Sequence, residues 1–173
     1  MNKVIETILS RCSIRQFTGD TIPEEDIELI LRAGMAAPSA VNVQPWNFIL
    51  ITDRTILEKL QRELPYAKML DKAACAIIVC GIPDKDETFA KIFWIQDCSA
   101  ATENILLAAH ALGYGAVWTA VYPESDRMEI VRKACEIPQT VIPLNVIPIG
   151  IPSPGASKVR DKFSMNNIHR NHW

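Results

Sequence analysis

The chain has 173 residues, of which 49% are apolar and 22% charged, and its 18 lysines and arginines against 20 acidic residues give a formal net charge of -2. This composition is ordinary for a folded globular protein and excludes an extensively disordered chain. Because the net charge is nearly neutral, the protein as a whole does not attract nucleic acid or an anionic membrane electrostatically. Any anion must therefore be bound by local groups. We expect residues 1–173 to form one domain, since a chain of this length buries roughly 70% of its unfolded surface.

The apolar stretches predict neither export nor membrane insertion. Glu6 and Arg11 interrupt the N-terminal apolar run that a signal peptide would need. The longest apolar stretch, AACAIIVCGI at 73–82, is about half as long as a membrane-spanning helix. The cysteines are odd in number and lack zinc-binding spacing, so we expect reduced thiols and a cytoplasmic protein.

Hydrophobic periodicity predicts helices and strands along most of the chain. Helices are predicted at 24–37, 53–64, 87–111 and 124–135. Strands are predicted at 46–53, 73–82, 115–122 and 141–151. The second strand is apolar on both faces and should be central, whereas Pro143 and Pro148 favour an edge position for the last strand. Strand–helix–strand units are too few for a parallel sheet, so an antiparallel or mixed sheet flanked by helices is expected.

Two arginines and a serine lie at two-residue intervals in RCSIRQF, residues 11–17. In an extended segment Arg11, Ser13 and Arg15 would share one face, because successive side chains alternate. Two guanidinium groups and a hydroxyl in a row suit a phosphate, which arginine binds through parallel N–H donors. A solvated turn with two ordinary surface arginines is the alternative.

Lys158 and Arg160 repeat the two-residue spacing in the polar tail. Four cations gathered in one place repel each other unless a multiply charged anion lies between them, and a phosphate monoester carries close to two negative charges. The tail has little other reason to be ordered. A frayed basic terminus is the alternative.

The segment PSAVNVQP, bounded by Pro38 and Pro45, predicts an ordered loop that carries two amide side chains. Asn42 and Gln44 both donate and accept hydrogen bonds, so the pair can match the pyrimidine edge of a flavin. Ser39 could reach the same ligand. An Asx turn that satisfies its own backbone is the alternative.

Motifs for other chemistries are missing. GYGAVW at 113–118 has Trp118 at the third glycine position of a dinucleotide fingerprint and follows a helix instead of a strand. Phosphate-loop, nucleophile-elbow and zinc-protease motifs are absent. His110 is expected to be a core residue, and His169 and His172 have no carboxylate motif nearby for a metal site. We therefore expect a cofactor to supply any difficult chemistry.

Taken together, these segments resemble the FMN-dependent nitroreductase family. Residues 11–17 match the opening pattern Arg-x-Ser-x-Arg-x-Phe, and residues 37–46 match a small residue followed by Pro-Ser-x-x-Asn-x-Gln-Pro-Trp. The resemblance continues through 68–73, 96–118 and 158–160. It spans nearly the whole chain, and the joint occurrence of the motifs is specific.

The resemblance implies an α+β fold with an antiparallel central sheet flanked by helices, in an intertwined homodimer with two FMN sites at the interface. The positions matching those that bind the FMN phosphate and ribityl chain are Arg11, Ser13, Arg15, Lys158 and Arg160. The loop positions matching those that contact the flavin, partly across the interface, are Ser39, Asn42 and Gln44. The strand positions that would offer main-chain groups near the reactive flavin nitrogen are Trp118, Thr119 and Ala120. Lys68 is a further candidate.

The resemblance also implies an NAD(P)H-dependent oxidoreductase with no catalytic side chain and no metal. Such enzymes take a hydride from NADH or NADPH and pass electrons, in a ping-pong mechanism, to a nitroaromatic, a quinone or a similar small acceptor. A module that stores or senses FMN and a cofactor-free interaction domain are the alternatives. Because the chain is compact, the acceptor pocket is not implied, and Phe89, Phe93 and Trp94 could equally pack in the core or the dimer.

Overall fold

The computed structural model describes residues 2–173, which form five α-helices and five strands. The helices are α1 (Lys3–Ser10), α2 (Glu24–Met35), α3 (Arg54–Glu63), α4 (Phe89–Ala111) and α5 (Ser125–Cys135). The strands are β1 (Trp46–Ile51), β2 (Cys75–Gly81), β3 (Gly115–Ala116), β4 (Thr119–Ala120) and β5 (Ile142–Gly150). Short 3-10 turns occupy Ala40–Asn42, Lys68–Asp71, Pro83–Lys85 and Met165–Asn167.

The strands form one antiparallel sheet in the order β1-β2-β5-β3, and β4 also pairs with β5. Side chains of β2 alternate between two apolar clusters, with Ile77 and Val79 in one and Ile78 in the other. The first cluster includes residues of α2 and α4, and the second includes residues of α3 and α5. The predicted α+β fold, with an antiparallel sheet flanked by helices and a central second strand, is confirmed.

The prediction that the last strand lies at an edge is wrong. β5 pairs with β2 on one side and with both β3 and β4 on the other. The register with β3 covers Ile149 and Gly150, and the register with β4 covers Asn145 and Val146. Pro143 and Pro148 fall outside these two short ladders, so their missing N–H groups interrupt no bond on that side.

The predicted strand at 115–122 is present as two short strands, β3 and β4. Between them, Val117 and Trp118 make no ladder pairs. Extending the β3 register by one position would place Val117 opposite Pro148, which cannot donate a backbone hydrogen bond. The proline thus divides the neighbouring strand instead of ending the sheet.

α1 was not predicted from the sequence. The Asn2 side chain accepts a hydrogen bond from the Val4 N–H at 2.8 Å and caps the helix. Val4, Ile8 and Leu9 are 47–65% exposed, so this helix presents an apolar surface to solvent. The spacing of these residues is typical of one helical face and could have predicted the element.

The remaining helices agree with their predicted positions within a few residues. Asp53 caps α3 by accepting the Thr55 N–H at 2.7 Å. Asp86 accepts the N–H of Thr88 at 3.0 Å immediately before α4, which starts two residues later than expected. Among residues 2–173, no helix is both long and apolar enough to cross a membrane.

Candidate functional site

The structure brings cations from the two ends of the chain to one cleft of about 510 Å³. We call this the cationic cleft, and its charged lining residues are Arg11, Arg15, Lys158, Arg160 and Lys162. Ser13 and Gln16 also line it. The five phosphate-site candidates from the sequence therefore lie together. Lys162 was missed, although it continues the two-residue spacing of Lys158 and Arg160.

The early segment is held in extended form along the sheet. The Ile14 N–H donates to the Ala116 carbonyl at 3.0 Å, and the Thr18 N–H donates to the Ile151 carbonyl at 3.0 Å. Ile14 is buried, whereas Ser13 and Arg15 on either side of it are exposed. The apolar side chain points inward, so its polar neighbours point outward into the cleft, as the alternation of an extended chain requires.

The tail reaches the cleft because two contacts tie it to the early segment. The Ser153 N–H donates to the Gln16 carbonyl at 3.0 Å, and Ser157 Oγ lies 3.2 Å from Cys12 Sγ. Beyond these contacts Lys158 and Arg160 lie in irregular, exposed backbone. The terminus is irregular, as its composition predicts, but it lies against the opposite end of the chain.

The two arginines of the early segment differ in their partners. Arg11 Nε lies 3.2 Å from Glu103 Oε1 on α4, and the Arg11 side chain is only 18% exposed. Arg15 is exposed and has no ion pair within the described part of the chain. Glu103 fixes the orientation of Arg11 and removes part of the repulsion among the cations, whereas Arg15 is free to meet an anion.

His110 is half-buried on α4, near the positive charge of Arg11. Its Nε2 is 2.8 Å from Ser10 Oγ, next to Arg11 in sequence. Burial lowers the pKa of His110 from its usual 6.5, and the positive charge of Arg11 lowers it further. The neutral imidazole is therefore favoured in the folded protein. The prediction of a core histidine is wrong in its burial, because His110 lies in neither apolar cluster, although its ring has a hydrogen-bond partner.

We expect His110 to make the protein less stable on acidification. A lowered folded-state pKa contributes stability above the unfolded value of 6.5, and this contribution falls as pH decreases from there towards the folded-state pKa. Urea unfolding at about pH 7.5 and about pH 5 should show a smaller loss of stability for His110→Gln than for the parent chain. His172→Gln, in the exposed tail, is the control, and equal losses in all three proteins would contradict the assignment.

A second cleft, of about 370 Å³, shares Arg15 and Gln16 with the cationic cleft. Lys68 and Lys72 line it on the side of the Lys68–Asp71 turn. Lys68, left open from the sequence, therefore lies beside the predicted phosphate site. Asp71 also lines this cleft and provides an acidic group there.

The 38–45 loop does not line the cationic cleft. Asn42 and Gln44 are exposed and have positive φ values of 60° and 53°, a conformation that non-glycine residues adopt rarely. Ser39 Oγ accepts the Gln44 N–H at 2.9 Å, and Lys85 Nζ donates to the Gln44 carbonyl at 2.7 Å. Within one chain, Ser39, Asn42 and Gln44 are thus held in a defined loop away from the phosphate-site candidates.

Asp97 on α4 supports this loop, and the sequence analysis did not single it out. Its Oδ1 accepts the Ala40 N–H at 3.1 Å, and the residue is only 6% exposed. Its Oδ2 is buried without a hydrogen-bond partner. A buried carboxylate that contacts the backbone of a loop with positive φ values positions that loop against α4.

Trp118, Thr119 and Ala120 lie on and beside β4, outside the cationic cleft. Trp118 is half-buried against the first apolar cluster, Thr119 is buried, and Ala120 is exposed. The Ala120 carbonyl accepts a hydrogen bond from Arg127 Nη1 at 3.3 Å. Ala120 is therefore the exposed member of this group.

The thiols and the acidic groups do not suggest nucleophilic or metal chemistry. Burial raises the pKa of Cys75, Cys80 and Cys98 to about 12, so these thiols stay protonated near neutral pH. All five cysteines are free. Of the residues that the structure describes, no group of three or more His, Cys, Asp or Glu side chains could hold a metal ion.

Comparison with known proteins adds evidence over the whole chain. A sequence model described as Nitroreductase family matches residues 8–64 and 55–151. A protein of Methanothermobacter thermautotrophicus named "Putative NADH dehydrogenase/NAD(P)H nitroreductase" is 49% identical over 174 residues. That alignment covers 98% of this chain and 87% of the relative.

Solved structures with the same fold include two that cover nearly the full chain. A crystal structure of a protein of that same name from Parabacteroides distasonis is 46% identical, has a TM-score of 0.94 and covers 100% of both chains. A Clostridium difficile protein described as an FMN-dependent nitroreductase is 25% identical, has a TM-score of 0.88 and covers 98% of this chain and 99% of that one. The fold is therefore shared at the level of the entire chain.

Proposed function

The chain belongs to the nitroreductase family of NAD(P)H-dependent flavin oxidoreductases, and we propose that it binds FMN at the cationic cleft and uses it to reduce a small acceptor. The resemblance seen in the sequence motifs is confirmed by the family match and by the 49% identical relative. The main support for the FMN proposal is one observation. Cations from residues 11–15 and 158–162 line the same cleft.

The donor set of the cleft fits the phosphate of FMN. Guanidinium and ammonium groups are the strong partners of a phosphate monoester, and a serine hydroxyl adds a neutral donor. Glu103 is paired with Arg11, so it leaves the other four cations of the cleft available. We assign the phosphate to Arg15, Lys158, Arg160 and Lys162, with Arg11 and Ser13 completing the set.

The ring-binding residues in this proposal come from two other places. Main-chain groups of the strand at Trp118, Thr119 and Ala120 would contact the flavin from the same chain. The 38–45 loop would contribute Ser39, Asn42 and Gln44, and we place this loop across the interface, from a second copy, as the family resemblance implies. Ser39 Oγ accepts the Gln44 N–H and still has its own hydroxyl hydrogen to donate.

When bound, FMN supplies the redox chemistry, accepting a hydride from NADH or NADPH and passing electrons to a nitroaromatic, a quinone or a similar small acceptor in a separate half-reaction. The residues of the chain bind and orient the cofactor and exclude competing reactions. In this proposal no side chain of the site has to act as an acid, base or nucleophile.

We further propose a homodimer, supported by the exposed apolar side chains of α1 and α4. Ile8 and Leu9 of α1 and Ile92 of α4 are 47–62% exposed, and a largely apolar groove of about 360 Å³ runs between α1, α2 and α4. Several exposed apolar side chains together with an apolar groove are typical of an interface. A fully flavin-loaded monomer in light scattering would contradict the dimer.

Anaerobic stopped-flow spectroscopy of the FMN-loaded protein tests the proposed activity. We expect the flavin absorbance to bleach with NADH or NADPH and to return when a quinone or nitroaromatic is mixed in a second step. FMN that binds but is reduced by neither donor would favour a storage or sensing module. A protein that does not bind added FMN would contradict the proposal altogether.

A further inference from the structure

Tyr66, in the connection between α3 and the Lys68–Asp71 turn, is an exposed aromatic residue in an unusual backbone conformation. Its φ is 62°, and it is 80% exposed. Bulky residues rarely adopt positive φ, and here the chain places an aromatic side chain in water at such a position. The flanking Leu64 and Ala67 are buried, so the connection is held in place independently of the Tyr66 ring.

Arg127, near the start of α5, covers one face of this ring. Its Cζ lies 5.9 Å from the Tyr66 ring centroid, and its Nη1 donates to the Ala120 carbonyl at 3.3 Å. A guanidinium over an aromatic face is a favourable cation–π contact. Since the residue is largely exposed, the opposite face of the ring is available for stacking. We call these two residues the Tyr66–Arg127 pair.

The Tyr66–Arg127 pair adjoins the proposed FMN site. Tyr66 lines a cleft of about 490 Å³ together with Arg62, Glu63 and Lys68. Lys68 also lines the second cleft, which Arg15 in turn shares with the cationic cleft. The three clefts are therefore neighbours that share lining residues, from the phosphate-site cations to Tyr66.

The chemistry of this surface suits a nucleotide. An open aromatic face stacks on any planar base, and a neighbouring guanidinium meets phosphate oxygens with parallel donors. Arg62, Lys68 and Arg127 supply three positive charges, and Glu63 is the acidic residue in the lining. The surface thus combines a stacking platform with net positive charge.

We propose that the Tyr66–Arg127 pair is the docking subsite for the nicotinamide dinucleotide that donates the hydride. A base of the dinucleotide stacks on the free face of Tyr66, and its phosphates contact Arg127 and Arg62. This inference rests on the proposed function, because a hydride donor is needed only if the bound FMN turns over. It adds the residues that bind the donor, which neither the motifs nor the phosphate site identify.

The test compares Tyr66→Asn, Tyr66→Phe and Arg127→Gln in the FMN-loaded protein. Asparagine tolerates positive φ, so Tyr66→Asn removes the ring without adding backbone strain, and Tyr66→Phe keeps the ring. Lys133→Gln is the matched control, because Lys133 lies on the same helix and is paired with Glu129. All variants are titrated with FMN first, so that donor binding is measured separately from cofactor binding.

We expect Tyr66→Asn and Arg127→Gln each to raise about tenfold the NADH or NADPH concentration that half-saturates flavin reduction. The reduction rate at saturating donor should change far less, and Tyr66→Phe and Lys133→Gln should match the parent protein. Calorimetric titration with NAD⁺ and NADP⁺, which involves no turnover, should show the same loss of affinity.

Three results would overturn the inference. Donor affinity unchanged in both Tyr66→Asn and Arg127→Gln would remove the pair from the donor site. A loss of FMN affinity equal to the loss of donor affinity would assign the pair to the cofactor or to the dimer. A parent protein that binds FMN but is reduced by neither donor would contradict the subsite and the proposed activity together, whereas the first two results leave that activity intact.

Discussion

Replacing Arg15 with alanine is expected to raise the Kd for FMN roughly ten- to 150-fold, the equivalent of about 1.5 to 3 kcal/mol for hydrogen bonds to a charged group. Arg15 lines both the cationic cleft and the second cleft and makes no ion pair among residues 2–173. Its guanidinium therefore has no competing partner, and its removal takes away a free bidentate donor for the phosphate.

Fluorescence titration of the apoprotein with FMN measures this effect. Arg32→Ala is the control, because Arg32 is exposed on α2 and is paired with Glu28. Arg11→Ala should also weaken binding, partly because it leaves the Glu103 carboxylate unpaired near the phosphate. Adding Glu103→Gln to Arg11→Ala should restore part of the loss. Unchanged affinity in both Arg15→Ala and Arg11→Ala would refute the phosphate assignment.

Gly115→Ala is expected to lower both the stability of the protein and its affinity for FMN. A Cβ at position 115 would lie 2.6 Å from Ile14 Cγ2 and 2.7 Å from Ile14 Cβ. The Ile14 Cβ is joined directly to the backbone and cannot move aside by a rotamer change, so the extended segment has to shift. Overpacking of this kind costs about 1–3 kcal/mol. Ile14 lies between Ser13 and Arg15, so the shift also displaces two phosphate-site residues.

Gly113→Ala is the control variant. It distinguishes the effect of a Cβ that clashes with Ile14 from the backbone strain of replacing a glycine at positive φ. Gly113 has a φ of 88°, and nothing lies within 4 Å of a Cβ built there. This variant should lose about 1 kcal/mol of stability from backbone strain alone and should keep its FMN affinity. Urea unfolding and the same fluorescence titration measure both quantities. Equal FMN affinity in Gly115→Ala and the parent protein would show that the Ile14 segment does not position the phosphate site.

Local sequence signals were sufficient to predict most of the helices and the central strand. β2 and α2 to α5 were predicted because apolar periodicity depends on residues within about four positions of each other. The two-residue spacing of Arg11, Ser13 and Arg15 likewise predicted a shared outward face, because alternation is a property of any extended segment. α1 was missed although the same kind of signal is present.

Partners distant in sequence could be identified only from the folded chain. The central position of β5 depends on β3 and β4 ending on either side of Pro148, and no pattern within β5 shows where its neighbours stop. The Arg11–Glu103 ion pair, the Asp97 contact with Ala40 and the stacking of Arg127 on Tyr66 join residues 57 to 92 positions apart. Such contacts arise when the sheet and helices pack.

By itself the sequence determined the family, the class of fold and the residue types suited to a phosphorylated flavin, because motif spacing and hydrophobic periodicity are carried along the chain. Tertiary structure decided that the tail cations meet the early arginines and that the 38–45 loop lies elsewhere within one chain. It also decided which of the two arginines is free. The physical reason is that electrostatic pairing and cleft formation depend on distances in space, which long-range packing sets.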